Sequence, residues 1–212
     1  MPNYPLVSIL TPSYNQAEWL IDNLQSVSNQ NYQNLEHIVF DGGSTDGSVE
    51  VLKSFQDARL KWTSEPDRGQ SHALNKALEA SRGEIIGWIN SDDGYVDRRA
   101  VAAAVNSFVD NPDIGVVYGH TLLINASNEV LQVLWAPPGV TPYNCFGTPF
   151  CQPSVFIRRS LLQGRLVDES LHYVMDHDLW RRLYGTTRFA RVNLLIGFDR
   201  QQPNRKSVLP AM

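Results

Sequence analysis

Asn90-Ser91-Asp92-Asp93 follows the apolar run Ile85-Ile86-Gly87-Trp88-Ile89. Such a run reads as a buried strand, so two adjacent carboxylates stand at a strand's carboxyl end. Leu35–Asp41 (LEHIVFD) ends in a carboxylate in the same way. If the strands are parallel, their ends share one rim, and Tyr14, Asp41, Asp92 and Asp93 gather in one crevice. Clustered carboxylates raise one another's pKa unless positive charge joins them. A divalent cation is the economical solution; hard oxygen ligands suit Mg2+ or Mn2+, and substrate phosphates can complete the shell. The chemistry implied is that of a diphosphate. An isolated Asp-Asp pair reads as a turn cap beside a solvated charge; the strand-end position, with Asp41 on a neighbouring strand, reverses that preference.

A second acidic stretch, VMDHDLWRRL, offers Asp176 and Asp178. Residues two apart do not share a helix face. Asp178 meets Arg181 and Arg182 at i+3 and i+4, the spacing of a helix-stabilising ion pair. Asp176 shares the apolar face of Leu179, Trp180 and Leu183, so it is either an N-terminal cap or a carboxylate kept for chemistry. Trp88 and Trp180 read as core. His72, His120 and His172 have no paired spacing, and His177 neighbours Asp176.

The elements that must position these groups alternate. Leu6–Thr11 is β-rich, and Ala17, Leu20, Ile21, Leu24 and Val27 recur at helical spacing behind a box-like cap of Asn15 and Glu18. After Leu35–Asp41 come the turn GGSTDGS, a helix through Val49, Leu52 and Phe55, a strand at Leu60–Thr63, a helix over Ser71–Ser81 and a strand over Glu84–Ser91. Strands separated by helices imply crossovers and a mainly parallel sheet with both faces covered. Beyond residue 95 the pattern predicts a helix at Asp97–Phe108, a strand at Ile114–Tyr118, and a small antiparallel hairpin pairing Thr121–Asn125 with Glu129–Trp135. A proline-rich loop over 136–153, a helix at Val174–Tyr184, a strand-like run over Phe189–Phe198 and a polar tail complete the pattern. The expected organisation is one domain over 1–212, with a nucleotide-binding half (1–95) and a half that shapes the second substrate (96–212).

With 212 residues and a net charge of −4, the chain suits one sizeable domain and carries no broad nucleic-acid footprint. Cys145 and Cys151, six apart in a loop-like region, are close enough for a disulfide but read first as two isolated thiols in a reducing cytoplasm. No four-ligand Cys/His spacing marks a structural zinc. The N-terminus lacks a signal-peptide pattern, and no apolar run reaches the ~20 residues of a membrane span. The expected location is the cytoplasm, including the inner face of the cell membrane. There is no GxxxxGK[ST], and GGSTDG does not match GxGxxG, so a P-loop and a dinucleotide fold are both disfavoured.

Taken in order, VSILTPSYNQAEWLIDNLQSVSNQNY, EHIVFDGGSTDGS, SEPDRGQSHALNKAL, GEIIGWINSDDGY, QPSVFIRR and VMDHDLWRRL resemble the family 2 glycosyltransferases of the GT-A fold. The resemblance spans about residues 6–207. It implies an α/β, Rossmann-like GT-A domain that transfers a sugar, with inversion, from a nucleotide-sugar donor. The donor is usually a UDP-sugar and the acceptor a hydroxyl of a saccharide or lipid-linked saccharide, as in surface polysaccharide or glycoconjugate synthesis. By the same resemblance Pro12 and Tyr14 flank the nucleobase, with Asn15 in the same nucleotide-sugar-binding segment. Asp41 meets the uracil edge, and Asp67, Arg68 and Asn75 border the nucleotide. Asp92 and Asp93 form the DxD-type motif, with Asp93 the direct metal ligand, and Asp176 is the base. Asn90 departs from an aspartate often found there. The tail DRQQPNRKS carries Arg200, Arg205 and Lys206 where related enzymes order a loop over the diphosphate, often with a histidine; glutamines stand here. Two other functions compete: a catalytically silent UDP-sugar-binding or partner protein, and a metal-dependent nucleotidyltransferase. The second would want a glycine-rich, basic first loop, which TPSYNQ is not.

Overall fold

The apolar runs of the first half become the centre of one mixed sheet in the computed structural model, which describes residues 4–141, 150–203 and 205. The first four strands are β1 (Val7–Ser13), β2 (Leu35–Asp41), β3 (Leu60–Ser64) and β4 (Ile85–Trp88). They alternate with α1 (Ala17–Ser28), α2 (Ser48–Ser54) and α3 (Gln70–Ala80). The second half adds β5 (Gly94–Tyr95), α4 (Ala100–Asp110), β6 (Ile114–Asn125), β7 (Val130–Leu134), β8 (Val155–Arg158), α5 (Met175–Leu183) and β9 (Arg188–Gln201).

The sheet runs β3-β2-β1-β4-β8-β6-β9-β5, with β7 paired to β6. β1 pairs in parallel with both β2 and β4, and β2 with β3. The chain thus leaves β1 in one direction for β2 and β3, then returns to the other side for β4. A crevice at the carboxyl ends of β1 and β4 follows from that reversal. β8 enters antiparallel between β4 and β6. QPSVFIRR is therefore partly a strand, which its four-residue length between a proline and two arginines concealed.

Helices cover both faces, so β1 is buried at every position instead of alternating. On one face α3 and α5 place Leu74, Leu78, Leu179 and Trp180 against Leu10, Ile86 and Val116. On the other, α4 packs Val101, Ala104 and Phe108 against Ile9 and Val117, while α1 and α2 close Leu20, Leu24 and Leu52 over Val39. Gly87 stands in the middle of β4 because a Cβ there would lie 2.7 Å from the Tyr95 hydroxyl and 2.8 Å from Ile9 Cδ1. The Tyr95 ring stacks on Phe156 at 5.6 Å.

Three expectations need correction. β6 is one continuous strand, not a strand followed by a separate hairpin arm; the hairpin itself stands, through the pairing of β6 with β7. β9 runs to Gln201, so Arg200 belongs to the sheet and not to a polar tail. The cap of α1 is not a box of Asn15 and Glu18. Asp46 Oδ2 accepts the Ala17 N–H at 2.9 Å and Ser48 Oγ the Gln16 N–H at 3.1 Å, so a neighbouring turn does the capping. Cys151 is a free thiol, and Cys145 lies outside the described residues. Among the described residues no helix is long and apolar enough to cross a membrane.

Candidate active site

The carboxyl ends of the parallel strands open onto one cleft of about 910 Å3. β1 and the residue after it contribute Pro12, Ser13 and Tyr14; the segment after β3 contributes Pro66 and Asp67; β4 and its continuation contribute Trp88, Asn90, Asp92 and Asp93. The N-termini of α3 and α5 border the same space through Gly69, Gln70, Met175 and Asp176, and β9 returns to it with Asp199 and Arg200.

The Asp92-Asp93 pair is held from several directions. Asp93 is 5% exposed. Its Oδ2 accepts the Asn90 amide at 3.1 Å and its Oδ1 the Arg200 backbone N–H at 3.1 Å. Burial, first, and then the neighbouring Asp92 and Asp199 carboxylates push Asp93 well above the usual carboxylate range, against the pull of those two donors. Asp199 is raised too, chiefly by burial, with Arg205 opposing and Asp92 and Asp176 adding. Asp92 Oδ2 accepts the Gln202 side-chain amide at 3.1 Å. Asn90 accepts from Gln70 at 2.7 Å and from the Trp88 indole at 3.0 Å, and donates to Asp93 and Gln152. Every hydrogen-bonding site of that amide is used, and an aspartate could not make the two donations. The departure at residue 90 is thus built into the wall.

Arg200 is the residue that inspection of the sequence undervalued. Its side chain is fully buried. Nε donates to the Asp92 carbonyl at 3.0 Å, Nη2 pairs with Asp22 of α1 at 2.8 Å, and Nη1 reaches Asn128 in the β6–β7 turn. The guanidinium lies over the rings of Trp19 and Phe198 at 4.7 and 5.4 Å. One buried cation ties α1, the hairpin and β9 to the acidic strand end. The hint in sequence was its place in the tail DRQQPNRKS, just past the last strand-like run and beside Asp199.

At the β1–β2 end the structure separates the named residues. Tyr14 and Asp67 crowd Gly42, where a Cβ would stand 3.0 Å from Asp67 Oδ2 and 3.2 Å from Tyr14 Cδ2. Asp41 is buried beneath them. Its Oδ2 accepts from Gly43 N at 3.1 Å, Ser44 N at 2.9 Å and Ser64 Oγ at 2.6 Å, and its Oδ1 from Ser44 Oγ. Asn15 lies outside the cleft lining, with its Oδ1 on the Thr45 N–H at 2.9 Å and its N–H on Ser44 Oγ at 2.8 Å. Asp41 and Asn15 thereby staple the two turns that present Tyr14 and Gly42.

Arg68 and Asn75 do not line this cleft. Arg68 pairs with Glu169 at 2.6 Å, and Asn75 clamps the 166–169 segment, accepting from Leu166 N and Val167 N and donating to Val167 O and Glu169. Both are used in fixing the loop that leads to α5.

Asp176 sits in the first turn of α5, half-buried, with its carboxylate in no hydrogen bond or ion pair among the described residues. The helix offers no side-chain cap, so a capping role for Asp176 finds no partner. Asp178 makes the expected pair with Arg182 at 2.8 Å. α3 also starts at the cleft with no side-chain cap and no acidic residue in its first turn. Two helix N-termini thus face one space, and each favours negative charge there.

Among the described residues no three His, Cys, Asp or Glu side chains converge closely enough to hold a metal unaided. The donor set is nonetheless all hard oxygen, and the crowding of Asp92, Asp93 and Asp199 is what a cation relieves. The residues fit a divalent ion whose shell is completed by phosphate and water.

This architecture is shared with solved glycosyltransferase structures. Staphylococcus aureus TarS residues 1–349, in complex with UDP-GlcNAc, superposes with a TM-score of 0.80 at 20% identity, covering 97% of this chain and 62% of that one. The mannosyltransferase PcManGT from Pyrobaculum calidifontis, in complex with GDP-Man and Mn2+, gives 0.72 at 23% identity, covering 93% and 57%. The fold is GT-A. In sequence, an uncharacterized glycosyltransferase of Rickettsia typhi is 29% identical over 192 residues, which is 83% of this chain and 58% of that protein. The Escherichia coli chondroitin synthase is 26% identical over 89% of this chain and 28% of its own length. The chain therefore spans little more than half, or less, of these relatives. The model of the family described as Glycosyl transferase family 2 matches residues 8–160, and the chain belongs to that family.

Proposed function

We propose that the chain transfers a sugar from a nucleoside-diphosphate donor, a UDP-sugar by first choice, to an acceptor hydroxyl with inversion at the anomeric carbon. The observation that carries the reading is the convergence of Asp92, Asp93 and Asp176 on one cleft at the switch point of the sheet. Pro12, Tyr14, Gly42 and Asp67 form the slot suited to the base, which leaves the diphosphate to the acidic strand end. A divalent cation, Mn2+ or Mg2+, held through Asp93 and Asp92 would neutralise charge on the departing diphosphate. The N-terminus of α3, which has no side-chain cap, adds positive potential on the same side. Asp176 takes the proton of the acceptor hydroxyl as its oxygen bonds to C1. The C1–O bond to phosphate breaks, and its electron pair leaves with the nucleotide. One base is required and no enzymic acid. Residues 1–95 then serve the donor and 96–212 the acceptor, except that β9 returns Asp199 and Arg200 to the donor side. The acceptor is a saccharide or lipid-linked saccharide met at the cytoplasmic side of a membrane.

A thermal-shift panel of UDP, UDP-sugars, GDP-Man and ATP, each with Mn2+, tests this. A ligand bound by the folded state raises Tm. The reading expects a nucleoside diphosphate or its sugar ester to stabilise, and ATP not to. Stabilisation by ATP alone would contradict it.

A further inference from the structure

A second concavity, of about 630 Å3, shares no lining residue with the acidic cleft. Its lining includes Asp97, Arg98, Arg99, His120, Trp135 and Asn193. Trp135 is 71% exposed, yet its ring is not loose: His120 meets it edge-on, with centroids 4.8 Å apart and planes at 73°. His120 is itself buried and anchored at both nitrogens, by Asn193 Oδ1 at 3.0 Å and by the Ala136 N–H at 3.0 Å. The indole is thus held in place while most of its surface stays in water.

Beside the apolar Val96, Leu194 and Leu195, what surrounds that surface includes planar polar groups able both to donate and to accept. Asp97 and Arg99 form a forked pair, Nε to Oδ1 at 3.0 Å and Nη2 to Oδ2 at 2.6 Å. Asn193 uses its carbonyl on His120 and keeps its amide N–H groups on an exposed side chain. Arg98 is exposed beside them. A rigid apolar face ringed by such groups matches a pyranose, which is apolar on its C–H face and hydroxylated at its rim. It matches a purely apolar partner poorly, since that partner would strand the charges.

We propose that this concavity holds a saccharide unit of an oligosaccharide acceptor at a distance from its reacting end. The inference rests on the glycosyltransferase reading, and it is consistent with the spacing: Leu195, on the rim of the concavity, and Asp199, on the cleft, are four residues apart on β9, roughly 13 Å of strand. Arg98 makes no salt bridge among the described residues, and its charge, felt also by Asp97, favours an acidic sugar over a neutral one.

Isothermal titration with two hexasaccharides, a neutral glucan and a uronate-containing chain, tests the proposal on wild type, Trp135→Ala and Arg98→Ala. Wild type should bind the acidic chain. Trp135→Ala should weaken it roughly tenfold, the loss of one aromatic contact, and Arg98→Ala should weaken the acidic chain more than the neutral one. UDP affinity, measured in parallel, should not move in either variant, so failure of the donor reading shows separately. The proposal falls if wild type binds neither chain, if Trp135→Ala binds as wild type does, or if sedimentation shows Trp135→Ala abolishing a dimer instead.

Discussion

Asp93 and Asp176 are aspartates on the wall of one cleft, and they are held in opposite ways. Asp93 is buried and fixed by donors from β9 and from Asn90, while Asp176 is half-buried and its carboxylate makes no hydrogen bond or ion pair among the described residues. The difference fits two tasks. A group that grips a charge must be preorganised, because reorganisation during reaction weakens electrostatic stabilisation. A group that receives a proton must keep an oxygen free to do so.

Breaking the free side should have the largest effect on rate. Asp176→Asn should lower turnover by about 10²–10⁴-fold, while UDP affinity stays within a few-fold. Nucleotide release in single-turnover assays and UDP titration measure the two halves; normal turnover would remove Asp176 from its role.

Breaking the held side should instead cost stability. Arg200→Ala removes the ion pair to Asp22 and the bond to the Asp92 carbonyl. The expected loss is about 3 kcal/mol, the low end for a broken buried pair because Asp22 remains partly solvated. Denaturant unfolding measures it; an unchanged midpoint would mean that the strand end is not held from β9. Asn90→Asp sharpens the contrast. It deletes two donations and adds a carboxylate beside Asp93, which should cost roughly 1–3 kcal/mol without metal. Added Mn2+ should restore part of the loss in Tm. If metal restores nothing, the crowded carboxylates are not a cation site.

The smallest effect belongs to a residue outside the cleft. Arg68→Ala loses one exposed ion pair with Glu169, so stability should change by less than about 1 kcal/mol and UDP affinity not at all. A tenfold loss of UDP affinity would return Arg68 to the nucleotide.

The fold was legible where single segments carry it. β2 has the bounds its sequence implies, because Leu35 and the run Ile38-Val39-Phe40 supply an apolar body and a glycine-rich turn follows Asp41. The acidic stretch after β4 was legible too, although β4 ends at Trp88 instead of the expected Ser91 and a turn carries Asp92. β8 was not, since four residues entering antiparallel leave no periodicity to count. Arg200 was not, because a charged residue near a terminus looks solvated until the sheet that buries it is known. Arg68 and Asn75 sit in the right motif but line a different concavity, and neither the course of the loop before α3 nor the rotation of α3 is written in a motif. Asn90 looked like a departure, and the network around it supplies the reason.

Calorimetric titration of UDP into wild type and Asp93→Asn, each with Mn2+ and with EDTA, asks whether the acidic strand end grips the nucleotide through a cation. Wild type should bind tightly only with Mn2+, and the variant should lose that metal-dependent gain. Equal affinity in EDTA and Mn2+, or an undiminished gain in Asp93→Asn, would show that the nucleotide is held some other way.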